Sequence, residues 1–306
     1  MTLEVIEPGL LLTVQDLGRP GFEHLGVPRA GAADSRSLEV ANRRVGNAPG
    51  AAALEATLLG PRLRARRDVW IAIAGADLEP ILRPGDRPVD RSRPTHLAPG
   101  DELGFLEAGD PDRGCRVYIA IEGGIDVPLV LGSRSTSLSG TFGGFEGRPL
   151  QAGDVLEALP VGSTPAGEVA AALAETTEPS PGGRAIRVFR GPAADEPGGE
   201  DRWSAFLAAR WTVSLDSDRR GLRLEPPGDM RTDLGAGGGD RPSHGVVVGS
   251  IQLTPSGQPL VLMPDGGVTG GYPVLAVVAS ADLPLLGQLA PGAEIRFAEA
   301  RVRFDE

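Results

Sequence analysis

SHGVVVGSIQLTPSGQPLVLMPDGGVTGGYP, residues Ser243 to Pro273, packs more constrained backbone into thirty-one residues than any other segment of the chain. Val246 to Leu253 is a β-branched, apolar run, Thr254 to Gln258 carries turn chemistry, and Pro259 to Met263 is a second apolar run. Two such runs around a short glycine-containing turn specify a β-hairpin. The hairpin feeds a loop, Pro264 to Tyr272, that places four glycines, a carboxylate, a hydroxyl and a phenol in nine residues. Glycines at that density let backbone N–H groups approach a ligand closely.

Working outward, the same grammar of short strands and turns covers most of the chain. Upstream, Trp211 to Leu215 and Ile186 to Arg190 read as strands, with a short helix over Asp201 to Arg210 that turns Phe206 and Leu207 inward. Residues 3–14 read as two strands around Pro8-Gly9, and the apolar runs from Ala53 to Leu63 and from Val69 to Ala74 as further strands. Asp34 and Ser35 are positioned to cap a helix reaching about Val45, with Leu38, Ala41 and Val45 on one face. Three segments share one form, Leu, two residues, Gly, two residues, then a strand: Leu97 to Phe105, Leu150 to Leu156 and Leu289 to Phe297. Their spacing is irregular, so they read as one barrel corner used three times and not as a solenoid repeat.

A proline-flanked, alanine-rich piece after Val161 interrupts the strands and marks the domain boundary. It divides the chain into a β-rich lobe over 1–162, a linker over 163–184 and a second lobe over 185–306. The run Gly235 to Asp240 is nearly pure glycine and is expected to be mobile. With 44 Gly and 28 Pro in 306 residues, turns are frequent and long helices are not expected, which makes the chain mainly β with a few short helices.

Composition excludes several functions. A net charge of −11 argues against nucleic acid or an anionic membrane as the main partner. Glu4 and Glu7 stand where a signal peptide needs positive charge, and no apolar run is long enough to span a bilayer, so a cytoplasmic location is expected. The single cysteine, Cys115, borders an apolar strand and reads as a small buried hydrophobe. The chain holds no lysine; its thirty Lys-plus-Arg residues are all arginine. A lysine Schiff base, a Walker A lysine and a biotinyl-lysine are therefore excluded from this chain. His24, His96 and His244 have no metal-ligand spacing, and no metal is expected.

Three groups of residues have the means for chemistry. Gln15, Asp16 and Arg19 put an amide, a carboxylate and a guanidinium in one glycine-bounded loop, which fits either a polar substrate or an Asp–Arg clamp on the loop itself; spacing alone favours the clamp. In Ser217 to Arg223, Arg219, Gly221 and Arg223 alternate in strand register, which would project two guanidiniums from one face. Like charges so placed repel unless an anion lies between them, which inclines this pair toward an anion clamp. In the loop, Asp265 has the chemistry of a base, Thr269 and the Gly270-Gly271 backbone that of donors to an oxyanion, and Tyr272 that of a donor or stacking ring. A glycine-rich turn without a ligand is the commoner origin of such a sequence.

VQDLGRPGFEHLGVPRAGAADSRSLEVANRRVGN, YIAIEGGIDVPLVLGSRST, GGFEGRPLQAGDVL, SDRRGLRL and the opening stretch resemble, in that order, the biotin-dependent carboxyltransferase family. That family includes 5-oxoprolinase C subunits, allophanate hydrolase subunit-2 proteins, the kinase-inhibitor antagonist of sporulating bacteria and part of urea carboxylase. The resemblance implies a cyclophilin-like β-barrel architecture, a companion B subunit, and in the 5-oxoprolinase case a third, lactam-utilisation A subunit. It implies ATP with magnesium, bound at the level of the complex in a non-Walker site, and opening of the small cyclic amide 5-oxoproline to glutamate. Two other outcomes are implied for such a chain: a carboxyltransferase component acting on urea or a related amide with biotin presented by another chain, or a non-catalytic antagonist of a B-type kinase inhibitor.

Carried onto this sequence, the family motifs fall on Gln15, Asp16, Gly18 and Arg19, on Ser217, Arg219, Gly221 and Arg223, and on Gln252, Gln258, Asp265, Thr269, Gly270, Gly271 and Tyr272. Asp265, Thr269 and Tyr272 take the catalytic role; Gln15, Asp16, Arg19, Ser217, Arg219, Arg223, Gln252, Gly270 and Gly271 bind substrate or nucleotide. Many relatives carry Arg-Gln after the loop aspartate and Lys after the Tyr-Pro pair, where this chain has Gly266-Gly267 and Val274. The charge requirement then falls on arginines elsewhere or on a partner subunit.

Overall fold

The computed structural model describes residues 1–160, 185–226, 234 and 242–300. The expected linker over 163–184 and the glycine run at 235–240 lie outside the described residues. The chain is mainly β, with short helices at Ser35–Arg44, Gly199–Ala208 and Leu283–Leu286 among the described residues. None of these helices is long and apolar enough to cross a membrane.

The first half builds two sheets over one apolar core. A six-stranded sheet runs in the order Val155–Leu156, Leu3–Glu7, Arg62–Ala65, Glu102–Phe105, Pro80–Arg83 and Arg87–Pro88; a five-stranded sheet runs Leu11–Gln15, Ala53–Thr57, Arg116–Ile121, Val69–Gly75 and Thr95–Leu97. Side chains alternate across a strand, so one parity of each meets the core. Leu12, Val14, Leu54, Ile71, Ile73, Val117 and Ile119 from the five-stranded sheet pack there against Leu3, Val5, Leu63 and Leu103 from the other. Each such side chain contributes roughly 1.5–3 kcal/mol when fully buried.

The opposite parity of the five-stranded sheet divides along the sheet, and this division positions everything that follows. Where the helix Ser35–Arg44 lies, the sheet offers Ala53, Ala72, Ala74 and Ala120, small residues that let Leu38, Ala41 and Val45 settle close. The Asp34 side chain accepts from Ser37 N at 3.0 Å and caps the helix as its sequence implies. Beyond the helix the same face turns polar: Thr13, Glu55 and Tyr118 stand in one cross-strand row, with Gln15 and Arg116 on the same parity.

The second half forms an eight-stranded sheet in the order Glu294–Ile295, Trp211–Val213, Gly221–Glu225, Pro259–Leu262, Ser250–Leu253, Val274–Val278, Ile186–Arg190 and Phe297–Glu299. Its two outermost strands are separated in the chain by Arg296 alone, so the sheet curls almost into a closed barrel. Ile186, Val188, Leu222, Leu224, Ile251, Val261 and Phe297 fill it, and the helix Gly199–Ala208 adds Trp203 and Phe206. Phe206 stacks on Phe297 at a centroid distance of 4.7 Å. Leu207, expected inward with Phe206, packs against this core only partly buried. The hairpin expected in the opening stretch is present as Ser250–Leu253 and Pro259–Leu262, closed by the Thr254–Gln258 turn, where Thr254 N donates to Gln258 O at 3.0 Å.

The recurring corner is one structure in three copies. Gly100, Gly153 and Gly292 all adopt left-handed backbone, at φ 95°, 91° and 85°. Each glycine N donates to a carbonyl of a neighbouring strand, Ala65, Val5 and Val213 respectively, and each of those residues returns its own N–H to the carbonyl one residue past the glycine. The positive φ explains why the sequence places glycine at this point.

Candidate functional site at the junction of the two cores

The polar patch of the five-stranded sheet meets the barrel through one buried ionic network. Arg219 stands in the turn entering Gly221–Glu225 and is 3% exposed. Its Nε donates to Asp265 Oδ2 at 2.9 Å, its Nη2 to Gly31 O at 2.7 Å, and its Nη1 to Glu55 Oε1 in a short ion pair. Glu55 also accepts from Tyr118 Oη at 2.7 Å and Ala33 N at 2.9 Å, and lies 3.6 Å from Arg116 Nε. Gln288 ties in the other end: its Nε2 donates to Asp34 Oδ2 at 2.8 Å and to Arg116 O at 3.0 Å, while Arg116 N donates to its Oε1.

Charge balance decides the protonation states. Burial pushes the Glu55 carboxyl up, but Arg219, then Arg116, then the Tyr118 hydroxyl and Ala33 N–H outweigh it and hold Glu55 below the usual carboxylate range. Burial likewise works against the Arg219 cation, and Glu55 and Asp265 overcome it. Burial and the neighbouring Glu55 raise the Tyr118 phenol well above its ordinary value, so it stays a neutral donor.

This geometry corrects the two-arginine clamp. Arg219 and Arg223 do not project from one strand face: Arg219 precedes the strand and turns inward, where two carboxylates and a carbonyl occupy its donors, while half-buried Arg223 lies on the strand. Ser217 closes the same turn, its Oγ accepting from Arg223 N at 3.0 Å. Asp265 is 1% exposed and held by Arg219, so its place in the structure is that of a counter-ion.

The Gln15–Arg19 loop is held by residues 130–136 instead of by an Asp16–Arg19 contact. Asp16 accepts from Gly18 N, Ser133 Oγ, Arg134 N and Ser135 Oγ, all within 2.8 Å. Arg19 donates to the carbonyls of Val130 and Ser135 and lies 4.9 Å over the Phe142 ring. Burial lowers its affinity for the proton, in part offset by Asp16 and Asp265. Gln15 donates to Thr13 Oγ1 and Thr136 O. Gln15 Oε1, Arg19 Nη1 and Gln252 Nε2 are among ten buried side-chain polar atoms without a hydrogen-bond partner in the described residues.

Gln252 sits on the outer face of the barrel, and Gly270 presses on it: a Cβ at Gly270 would lie 2.5 Å from Gln252 Nε2. None of Gly266, Gly267, Gly270 and Gly271 has positive φ, so what constrains Gly270 is the close approach of the Gln252 amide and not backbone conformation. Thr269 and Gly270 pair with His244–Gly245, leaving Gly271 half-buried and Thr269 and Tyr272 exposed, Tyr272 by 42%. A recess of about 210 Å³ is lined by Leu11, Leu138, Ser139, Asp218, Arg219, Arg220 and, from the start of the same loop, Asp265. The structure thus brings Arg219 and Asp265 to one recess and leaves Thr269 and Tyr272 on the surface of the adjoining loop.

Glu55, Arg116, Tyr118 and Gln288 were not singled out from the sequence. A glutamate inside the buried strand ALEAT was the available signal, since a buried carboxylate needs a partner. Its partner lies 164 residues away, and no local pattern names it.

A mainly β chain, with a double-sheet half and a nearly closed barrel joined by a buried ionic network, defines the class. The family model for the carboxyltransferase domain, subdomain A and B, matches residues 25–299, and the chain belongs to this family. The C subunit of the 5-oxoprolinase of Escherichia coli (strain K12) is 38% identical over 301 residues, covering 97% of this chain and 91% of that protein. The urea amidolyase of Lachancea kluyveri is 38% identical over 313 residues, 96% of this chain but 17% of that protein. Among solved structures, the crystal structure of TTHA0988 superposes with a TM-score of 0.80 at 35% identity, covering 97% of this chain and 55% of that one.

Proposed function

We propose that this chain works as the C subunit of an ATP-dependent 5-oxoprolinase, in complex with a B-type companion and a lactam-utilisation A subunit. The near end-to-end match to the C subunit of the E. coli 5-oxoprolinase carries the reading, because it accounts for 97% of this chain and 91% of that protein. An unstrained lactam is a poor electrophile, and phosphorylating its amide oxygen with ATP creates a leaving group. In a chain without lysine, any side-chain cation that this subunit itself contributes against the phosphate charge is an arginine. Arg219 is consumed by Glu55 and Asp265, so that task passes to Arg220 at the rim of the recess, whose Nε donates to Asp218 at 2.9 Å but whose side chain is 71% exposed, and to half-buried Arg223 on the following strand. Thr269 and Tyr272 supply donors from the exposed loop, and Gln252, buried behind Gly270, supports that loop from the barrel side.

The test is reconstitution with the B and A partners and an assay for ATP-dependent glutamate release from 5-oxoproline. Release that requires this chain is the expected result; none from an assembled complex refutes it. The second reading, a carboxyltransferase component using biotin in trans, is favoured by the family model and by the equal identity to urea amidolyase. Turnover of urea with a biotinylated carrier, without glutamate release, would establish it instead.

A further inference from the structure

A cavity of about 850 Å³ opens at the far edge of the five-stranded sheet, where the end of the helix Ser35–Arg44 meets the connection from Arg87–Pro88 to Thr95–Leu97. No residue of the junction network or of the glycine loop lines it. Its volume falls in the range of about 300–1,000 Å³ typical of small-molecule sites.

Two features give it a chemistry. Trp70 lies in the cavity wall 44% exposed, on the face of the sheet opposite the apolar core, with His96 directly across the strand pair and tilted against it at 5.2 Å. A half-open indole offers a flat surface to a planar ring. The wall balances two arginines, Arg44 and Arg93, against two carboxylates, Asp90 and Glu122, in a chain whose net charge is −11, and His96 Nε2 lies 3.1 Å from Asp68 Oδ1. Asp90 is already engaged, accepting from Ser92 N at 3.0 Å, Ser92 Oγ at 2.6 Å and Arg93 Nε at 2.9 Å. Arg93 nevertheless stays 74% exposed and so keeps a guanidinium edge toward an incoming anion.

We infer that this cavity binds a planar ring bearing an acidic group, carboxylate or phosphate, with the ring on Trp70 and the acid toward Arg93. The inference is independent of the oxoprolinase reading, since it needs no partner subunit and no turnover. The chemistry could come from a nucleotide or from an aromatic acid, and two probes separate these sources. The full chain is titrated by calorimetry with AMP and, separately, with indole-3-acetate. Saturable binding of either is expected, and the one that binds names the source. Trp70→Ala should weaken that binding by about tenfold or more through lost stacking. Arg93→Glu, a change at an exposed side chain, should weaken it comparably while leaving the unfolding midpoint in place. Absence of binding by both probes at millimolar concentration overturns the proposal. So does binding that survives either substitution unchanged.

Discussion

Replacing Arg219 by Met tests the junction network most directly. The substitution keeps an unbranched chain in the space but removes every donor that Arg219 gives to Asp265, Gly31 and Glu55. Glu55 would retain Arg116 at 3.6 Å, Tyr118 Oη at 2.7 Å and Ala33 N at 2.9 Å, whereas Asp265, 1% exposed, would lose its counter-ion. Breaking one member of a buried ion pair costs about 3–5 kcal/mol, because the remaining charge stays buried. Adding Asp265→Asn removes that stranded charge, so the double variant should recover part of the loss, with a coupling of roughly 0.5–3 kcal/mol. Urea unfolding, followed by emission from buried Trp203 and Trp211, reads both quantities from the midpoint and slope. A single-variant loss below about 1 kcal/mol, or strict additivity in the double variant, would refute the view that Arg219 is a structural cation shared by two carboxylates.

Other outcomes follow from the same geometry. Glu55 has its folded pKa below its unfolded one, so its stabilisation is complete above the unfolded value of about 4.3 and is lost as pH falls through the folded value; acid titrations of unfolding should show a smaller loss in that window for Glu55→Gln, from a lower starting stability. Gly100→Ala and Gly153→Ala should each cost about 1–2 kcal/mol from left-handed strain alone, since nothing lies within 4 Å of the added methyl, and equal midpoint shifts would verify this. Gly270→Ala should displace the Gln252 amide at a cost below about 1 kcal/mol, because the atom it meets is the unpartnered end of a flexible side chain, and Gln252→Ala in the same chain should abolish that cost. Tyr272→Phe and Thr269→Ala should reduce glutamate release by the reconstituted complex with unfolding midpoints unchanged, as both side chains are exposed.

What was legible in the sequence was what local chemistry dictates. Short apolar runs bounded by turn residues gave the strands, Asp34 gave the helix start, and the repeated glycine gave a corner whose three copies share a backbone conformation. The family motifs led to the Gln15–Arg19 loop and to Arg219 and Asp265, but not to their contacts. Strand alternation carried the error for Arg219, because the strand begins only at Gly221 and the turn before it rotates the guanidinium inward. For Asp16 the partners are Ser133, Arg134 and Ser135, more than a hundred residues on, and a nearby arginine in the sequence was no guide to them. The glycines of the loop were expected to let backbone N–H groups approach a ligand closely, and at Gly270 the group that approaches is the Gln252 amide.

The near-closure of the barrel at Arg296 sets a limit on how this half of the molecule can vary. Glu294–Ile295 and Phe297–Glu299 serve opposite ends of one sheet, and the carbonyl of the residue between them accepts from Ile186 N at 2.9 Å. One residue inserted or deleted there would reverse which side chains of one flanking strand face inward, sending either Ile295 or Phe297 out of the core. That tripeptide should therefore tolerate substitution far better than a change in length, and any fraying should release both margins of the sheet together.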